Sequence, residues 1–297
     1  MNTNHPNRQR IIIKFISLLS IVRWYNVLIV SLALLLSAIF LLNPSAEYKT
    51  TLLNPRLYLE IGSIAFLIMA GFIINAFYDF EKDIINRPEE TIFGRIVSKS
   101  FCLNTYVLFV FVGLLLAVLV GWKIAVFNFF FSFGLWFYSH KLRKKPFTGE
   151  VNAALLTVAP FFSISLMYQS YNLMTVLFVG YIFVLALTRE IIKKMIAIKG
   201  DLIVGEKSLP IVIGIRKTKY IILVLMLLAL GCIGFLYRDV IVLPIVYYFG
   251  VAVIAIGLSI FELKKCKIAK DYERINTIYK LLIVFGILSI PLVGKWW

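Results

Sequence analysis

The chain reads as an all-α membrane protein, and three observations carry that reading. Hydrophobic residues make up 61% of its 297 residues, and charged residues only 15%. A soluble domain carries roughly a quarter charged residues and under half apolar ones. The apolar excess is gathered into runs long enough to cross a bilayer as helices, about 20 residues each. The basic residues, third, are distributed unevenly between the connections that join those runs.

Taken in order, the runs predict nine spans: 24–42, 58–78, 104–121, 123–140, 151–169, 172–190, 219–237, 240–261 and 276–294. Segment 1–22 precedes them, and its stretch 11–22 reads as an interfacial lead into the first span. The apolar run that starts at Ile11 and continues into that span is too long for a cleaved signal peptide and lacks a small-residue cleavage site. Trp24, Tyr25, Trp122, Trp136, Tyr138, Trp296 and Trp297 fall near span ends, as an aromatic belt requires. Outer connections are short, except 43–57, where Asn43, Pro44, Asn54 and Pro55 read as turns. Three inner connections are long, at about 79–103, 141–150 and 191–218. So little chain lies outside the spans that 1–297 reads as one intramembrane domain.

A net charge of +16 raises the question of nucleic acid, and placement answers it. With the N-terminus cytoplasmic, Arg8, Arg10, Lys14, Lys82, Arg87, Lys141, Arg143, Lys144, Lys145, Lys193, Lys194, Lys264 and Lys265 all fall inside. The opposite side receives Lys49, Arg56, Lys123, Arg238 and Lys295. That bias is the positive-inside signal, and it predicts N-terminus in and C-terminus out, in a bacterial type of cytoplasmic membrane. Topology explains the charge, so membrane lipids and no nucleic acid are the expected surroundings. Cys102, Cys232 and Cys266 stand alone, and His5 and His140 share no ligand spacing.

Chemistry is concentrated on the inner side. Residues 75–83 read NAFYDFEKD, with Asn75, Asp79 and Asp83 four apart at the exit of an apolar run. On a helix that spacing puts an amide and two carboxylates on one face. Carboxylates one turn apart repel unless a cation holds them, and Mg²⁺ takes one or two carboxylates together with substrate phosphates. The third long connection begins at Arg189 and Glu190, and Glu190, Lys194, Ala197 and Asp201 again share a helical face. Gly200, Gly205 and Pro210 are expected to break that helix. The two acidic faces follow the second and sixth spans, so both are expected on the same side, where they could share one substrate.

NAFYDFEKDIINRP followed by GRIVS resembles the first aspartate-rich motif of the UbiA superfamily of intramembrane prenyltransferases. REIIK…IKGD…GEKSLPIVIG is similar to that superfamily's second motif, RWYN near the start to its Arg-x-x-Asn, and YSHKLRKKPFTGEVNAAL to its basic stretch after span four. The resemblance covers nearly the whole chain. It implies a nine-helix bundle with a cytoplasmic-side cap formed by the loops after helices 2 and 6. It also implies Mg²⁺-dependent transfer of a prenyl group from an allylic diphosphate to an acceptor.

By the resemblance, Asp79, Asp83 and Asp201 are metal ligands and catalytic, with Asn75 supporting the ion. Arg23, Asn26, Arg87, Lys141, Arg143 and Glu190 are the expected diphosphate-binding set. Ala76 stands where Asp is common, Ala197 where the second motif's first aspartate is expected, and Lys194 where many relatives carry Asp. Two readings follow: Lys194 takes the place of a second ion at the diphosphate, or Glu190 replaces the missing ligand. The wording lies closest to the branch that alkylates geranylgeranylglyceryl phosphate. Prenylation of an aromatic quinone precursor is the alternative, and an ion-coupled transporter or an impaired relative are alternatives of another class.

Overall fold

The computed structural model describes residues 17–42, 48–86, 98–203 and 205–293, with backbone alone for 80–86 and 238–240. Most of segment 1–22, Asn43, Pro44, Arg87 and Trp296–Trp297 lie outside the described residues, as does the side chain of Asp83. The described residues form helices and turns, without a strand. In chain order the helices are α1 (Trp24–Ser37, continued by a π turn Ala38–Leu42), α2 (Tyr48–Leu52), α3 (Pro55–Asn86), α4 (Lys99–Val120) and α5 (Trp122–His140). There follow α6 (Thr148–Tyr168), α7 (Leu173–Ile203), α8 (Leu209–Ile213), α9 (Ile215–Val240), α10 (Val246–Lys265) and α11 (Ala269–Leu288). Among the described residues, seven helices are long and apolar enough to cross a membrane: α1 with its π turn, α3, α4, α6, α7, α9 and α10. The protein is an integral membrane protein. Helix α5 coincides with the expected fourth span and α11 overlaps the expected ninth, but Asn128, Ser132, His140 and the charged start of α11 dilute their apolar character.

Several boundaries differ from the sequence expectation, for physical reasons. At about 1.5 Å per residue, the 32 residues of α3 and the 31 of α7 reach well beyond a 30 Å hydrocarbon layer. The motif residues therefore stand on helix extensions, and the long loops expected at 79–103 and 191–218 are shorter than predicted. Gly200 does not break α7, because a single glycine costs only about 1 kcal/mol against alanine in a helix. Pro210 opens α8 instead of ending a helix, since a first-turn proline lacks only an orphan N–H. The expected outer turn 43–57 contains α2 and starts α3 at Pro55. Span 240–261 is displaced to Val246–Lys265 by the turn around Pro244, and 276–294 to Ala269–Leu288.

The chain divides into two compact units. The first contains residues up to Leu32 with Tyr58–His140. Its helices meet at a small-residue seam: a Cβ on Gly113 of α4 would lie 2.8 Å from Leu67 Cδ2 and 3.1 Å from the Ser63 carbonyl of α3. The Ser63 hydroxyl donates to the Gly113 carbonyl at 2.7 Å. From α5, the Asn128 amide donates to the Glu60 carboxylate at 3.1 and 3.2 Å and to Ser63 Oγ at 2.9 Å. Glu60, Ser63 and Asn128 are fully buried, so this network ties three helices together where water cannot compete. At the other end of α3, the Tyr78 hydroxyl meets His140 Nδ1 at 3.0 Å, and the imidazole stacks on Trp136.

In the second unit, Ala33–Leu57 and Lys141–Trp297, α7 packs against α6, α9 and α11, and α10 packs against α9 and α11. Asn172 caps α7 by accepting from the Thr175 N–H at 2.7 Å. Deeper in, the hydroxyls of Tyr181 and Tyr248 lie 3.0 Å apart, and Tyr248 donates to the Leu282 carbonyl. Gly286 makes room for that tyrosine, since a Cβ there would sit 2.8 Å from its hydroxyl.

Candidate active site

In the first unit, the inner part of α3 presents Phe72, Asn75 and Asp79 at i, i+3 and i+7, one helical face. Asn75 Nδ2 donates to Asp79 Oδ2 at 3.2 Å, and Asp79 is 9% exposed. An amide leaning on a carboxylate fixes its rotamer and leaves the pair presenting oxygen atoms, which is what a hard cation binds. Helix α3 continues through position 83, so the backbone keeps Asp83 in step with Asp79.

Arg23 reaches the same helix. It sits in a turn with φ 49°, where its N–H bonds the Ser20 carbonyl and its carbonyl accepts from Asn26, starting α1. Val22 beside it packs with Ile73 and Cys102, pinning the turn against α3 and α4. The guanidinium lies 5.5 Å from the Phe72 ring centroid, a cation–π contact that directs a mobile cation along the motif helix. The structure thus brings Arg23 to Phe72, one turn along α3 from Asn75, while Asn26 is the half-buried third residue of α1.

In the second unit, the extension of α7 carries Glu190, Lys193, Lys194 and Asp201. Lys193 takes Glu190 as its partner at 2.7 Å, so Glu190 is engaged by a neighbour three residues along. Lys194 Nζ stands 4.0 Å from Asp201 Oδ2 and 3.9 Å from Glu206 Oε2. Asp201 is fully buried, and a buried carboxylate is tolerated only when a counter-charge accompanies it. Glu206 is delivered by the end of α7: Gly205 has φ 71°, its N–H bonds the Leu202 carbonyl, and the Glu206 N–H bonds the Asp201 carbonyl at 2.8 Å. That is a Schellman closure, which turns the chain back toward its own last turn.

Lys141 is exposed, and Arg143 is half-buried in a 3₁₀ turn, Leu142–Lys144. That turn packs on Gly149, where a Cβ would lie 3.0 Å from the carbonyls of Leu142 and Arg143. Glu150, next along, is 3% exposed, with Lys194 and Glu190 as its charged side-chain neighbours. Sequence reasoning gave no role to Glu150 or Glu206. A solitary acid one turn into an apolar run carries no spacing signal, and the turn at Gly205 is needed before Glu206 meets Lys194. Among the described residues, no three His, Cys, Asp and Glu side chains gather into a metal cage.

The profile of the UbiA prenyltransferase family matches residues 49–283. The chain belongs to this family. Among its relatives, digeranylgeranylglyceryl phosphate synthase of Sulfurisphaera tokodaii is 28% identical over 244 residues, covering 80% of this chain and 87% of the relative. The enzyme of the same name from Pyrococcus horikoshii is 33% identical over 171 residues, 55% of this chain; the match spans 58% of that relative's length. A solved UbiA homologue from Archaeoglobus fulgidus, bound to GPP and Mg²⁺, superposes with a TM-score of 0.65 at 17% identity. The superposition covers 93% of this chain and 99% of that one and establishes the shared fold. These relatives are archaeal and lend the expected bacterial origin no support.

Proposed function

We propose that this protein transfers a prenyl chain from an allylic diphosphate to a lipid acceptor of the glycerophosphate type, within the membrane. The observation that carries the reading is the Asn75–Asp79 pair, half-buried amide against buried carboxylate, on the inner extension of α3, in step along the helix with position 83 in a family of prenyltransferases. The names of the relatives support the acceptor class, and the many lysines agree with an anionic headgroup. The cytoplasmic N-terminus and the nine spans belong to the same proposal, supported by the basic bias of the inner connections.

The donor set fits Mg²⁺: two carboxylates and an amide oxygen supply hard ligands, and the substrate's phosphates complete the shell. Asp79 and Asp83 would hold the ion, with Asn75 orienting Asp79. When bound, the ion neutralises charge on the departing diphosphate. The remaining roles fall to cations of this chain. Arg23, Asn26, Arg87, Lys141 and Arg143 are the further groups proposed to meet the phosphate oxygens. Lys194 stabilises the leaving group as its charge develops, and Asp201 with Glu206 holds that ammonium in place. The prenyl tail and the allylic cation need an apolar surrounding that excludes water, which the membrane-spanning helices supply.

The test uses membranes containing the full-length protein, a radiolabelled prenyl diphosphate and a panel of acceptors, with and without EDTA. Metal-dependent label in a glycerophosphate lipid, identified by mass spectrometry, is the expected result. Label in an aromatic acid instead would move the acceptor to a quinone precursor, and absence of diphosphate release with every acceptor would overturn the proposal.

A further inference from the structure

Glu150 is placed as no purely structural residue needs to be. It occupies the third position of α6, and its carboxylate accepts the backbone N–H groups of Phe147 and of Glu150 itself. That is one half of a capping box. The reciprocal half is missing, because the N-cap is Phe147, whose side chain cannot accept. Phe147 has φ 65° and ψ −51°, and the Thr148 N–H bonds the Pro146 carbonyl at 2.8 Å, a γ-turn of the rare, strained hand. The chain holds this turn, and Gly149 without a Cβ, so that Glu150 can fold back under the basic turn.

Capping accounts for one side of the carboxylate. The other oxygen, Oε2, is buried without a hydrogen-bond partner among the described residues. A glutamine would cap equally well and would place no second charge beside Glu190. A carboxylate is therefore the costly choice at this site, and its orphaned oxygen points to a ligand.

We infer that Glu150 Oε2 accepts the proton of the acceptor's hydroxyl during transfer. The inference rests on the prenyl-transfer reading above. In that reaction the allylic C–O bond breaks and its electron pair leaves with the diphosphate. The acceptor oxygen uses a lone pair to form the new C–O bond at the same carbon, and its O–H proton goes to Glu150. The positively charged oxygen that capture would otherwise create never accumulates.

The experiment compares the wild-type protein with E150Q and E150D in membranes, following diphosphate release and alkylated product separately. E150Q keeps the cap but cannot take a proton. It is expected to lower alkylation by on the order of 100-fold, while diphosphate release continues and free prenol accumulates. E150D is expected to restore alkylation partly, and the acid limb of the pH–rate profile, seen with the wild type and E150D, is expected to vanish in E150Q. Equal alkylation by E150Q and wild type would overturn the inference and leave the transfer reading intact. Parallel loss of diphosphate release and alkylation would also overturn it, by making Glu150 a donor-binding group. Absence of any transfer by the wild type would overturn both.

Discussion

Lys194 sits where a carboxylate is common in the family pattern, and its ammonium stands between Asp201 and Glu206 at 4.0 and 3.9 Å. A point charge held by two acids can do the work of a second ion at a diphosphate. Lys194→Ala is expected to reduce kcat by roughly 10²–10³-fold, the scale of losing one preorganised group at a developing charge. Asp201→Ala is expected to cost less, because Glu206 still positions the ammonium. Steady-state rates for both variants check the order, and a Lys194→Ala enzyme with native turnover would refute the substitution of ion by lysine. Glu190 is the weaker candidate for a replacement ligand, since Lys193 occupies it at 2.7 Å. Gly205 stands behind the arrangement: an L-residue at φ 71° costs about 1–2 kcal/mol. Gly205→Ala should lower thermal stability and slow turnover together, measured on one preparation.

The helices that carry these groups were legible in the sequence to different depths. Asn75, Asp79 and Asp83 at four-residue spacing announce a helix, and α3 carries it through all three. Hydropathy stops at the bilayer edge, so it could not show that α3 and α7 continue past it as polar extensions. Good helix formers such as Lys and Glu keep α7 helical up to Ile203, even past Gly200. The γ-turn at Phe147 was illegible, because its strain is fixed by packing around Gly149 and not by a turn-forming residue. Glu60 and Asn128 were equally silent, each a lone polar residue in an apolar run until α3 and α5 bring them within 3.1 Å. Where those helices converge, Gly113→Ala would drive a methyl into the Ser63 carbonyl and Leu67. Overpacking of this kind costs about 1–3 kcal/mol, expected as a lower melting temperature in detergent with the α3 motif chemically unaltered.

Charge distribution organises the chain on a larger scale than any motif. The net +16 is concentrated in alternate connections, and a membrane holds such connections on the cytoplasmic side because moving Lys and Arg across is costly. The basic turn around Lys144 and the short connection at Tyr171 flank α6, so they must face opposite sides if α6 spans. Lys144 and Tyr171 are both exposed in the second unit and open to a reagent. The test places a single cysteine at Lys144→Cys or Tyr171→Cys, with Cys102, Cys232 and Cys266 replaced by serine, and applies a membrane-impermeant maleimide to intact cells. Tyr171→Cys is expected to label in intact cells and Lys144→Cys only after lysis. Labelling of Lys144→Cys from outside would invert the proposed topology of α6.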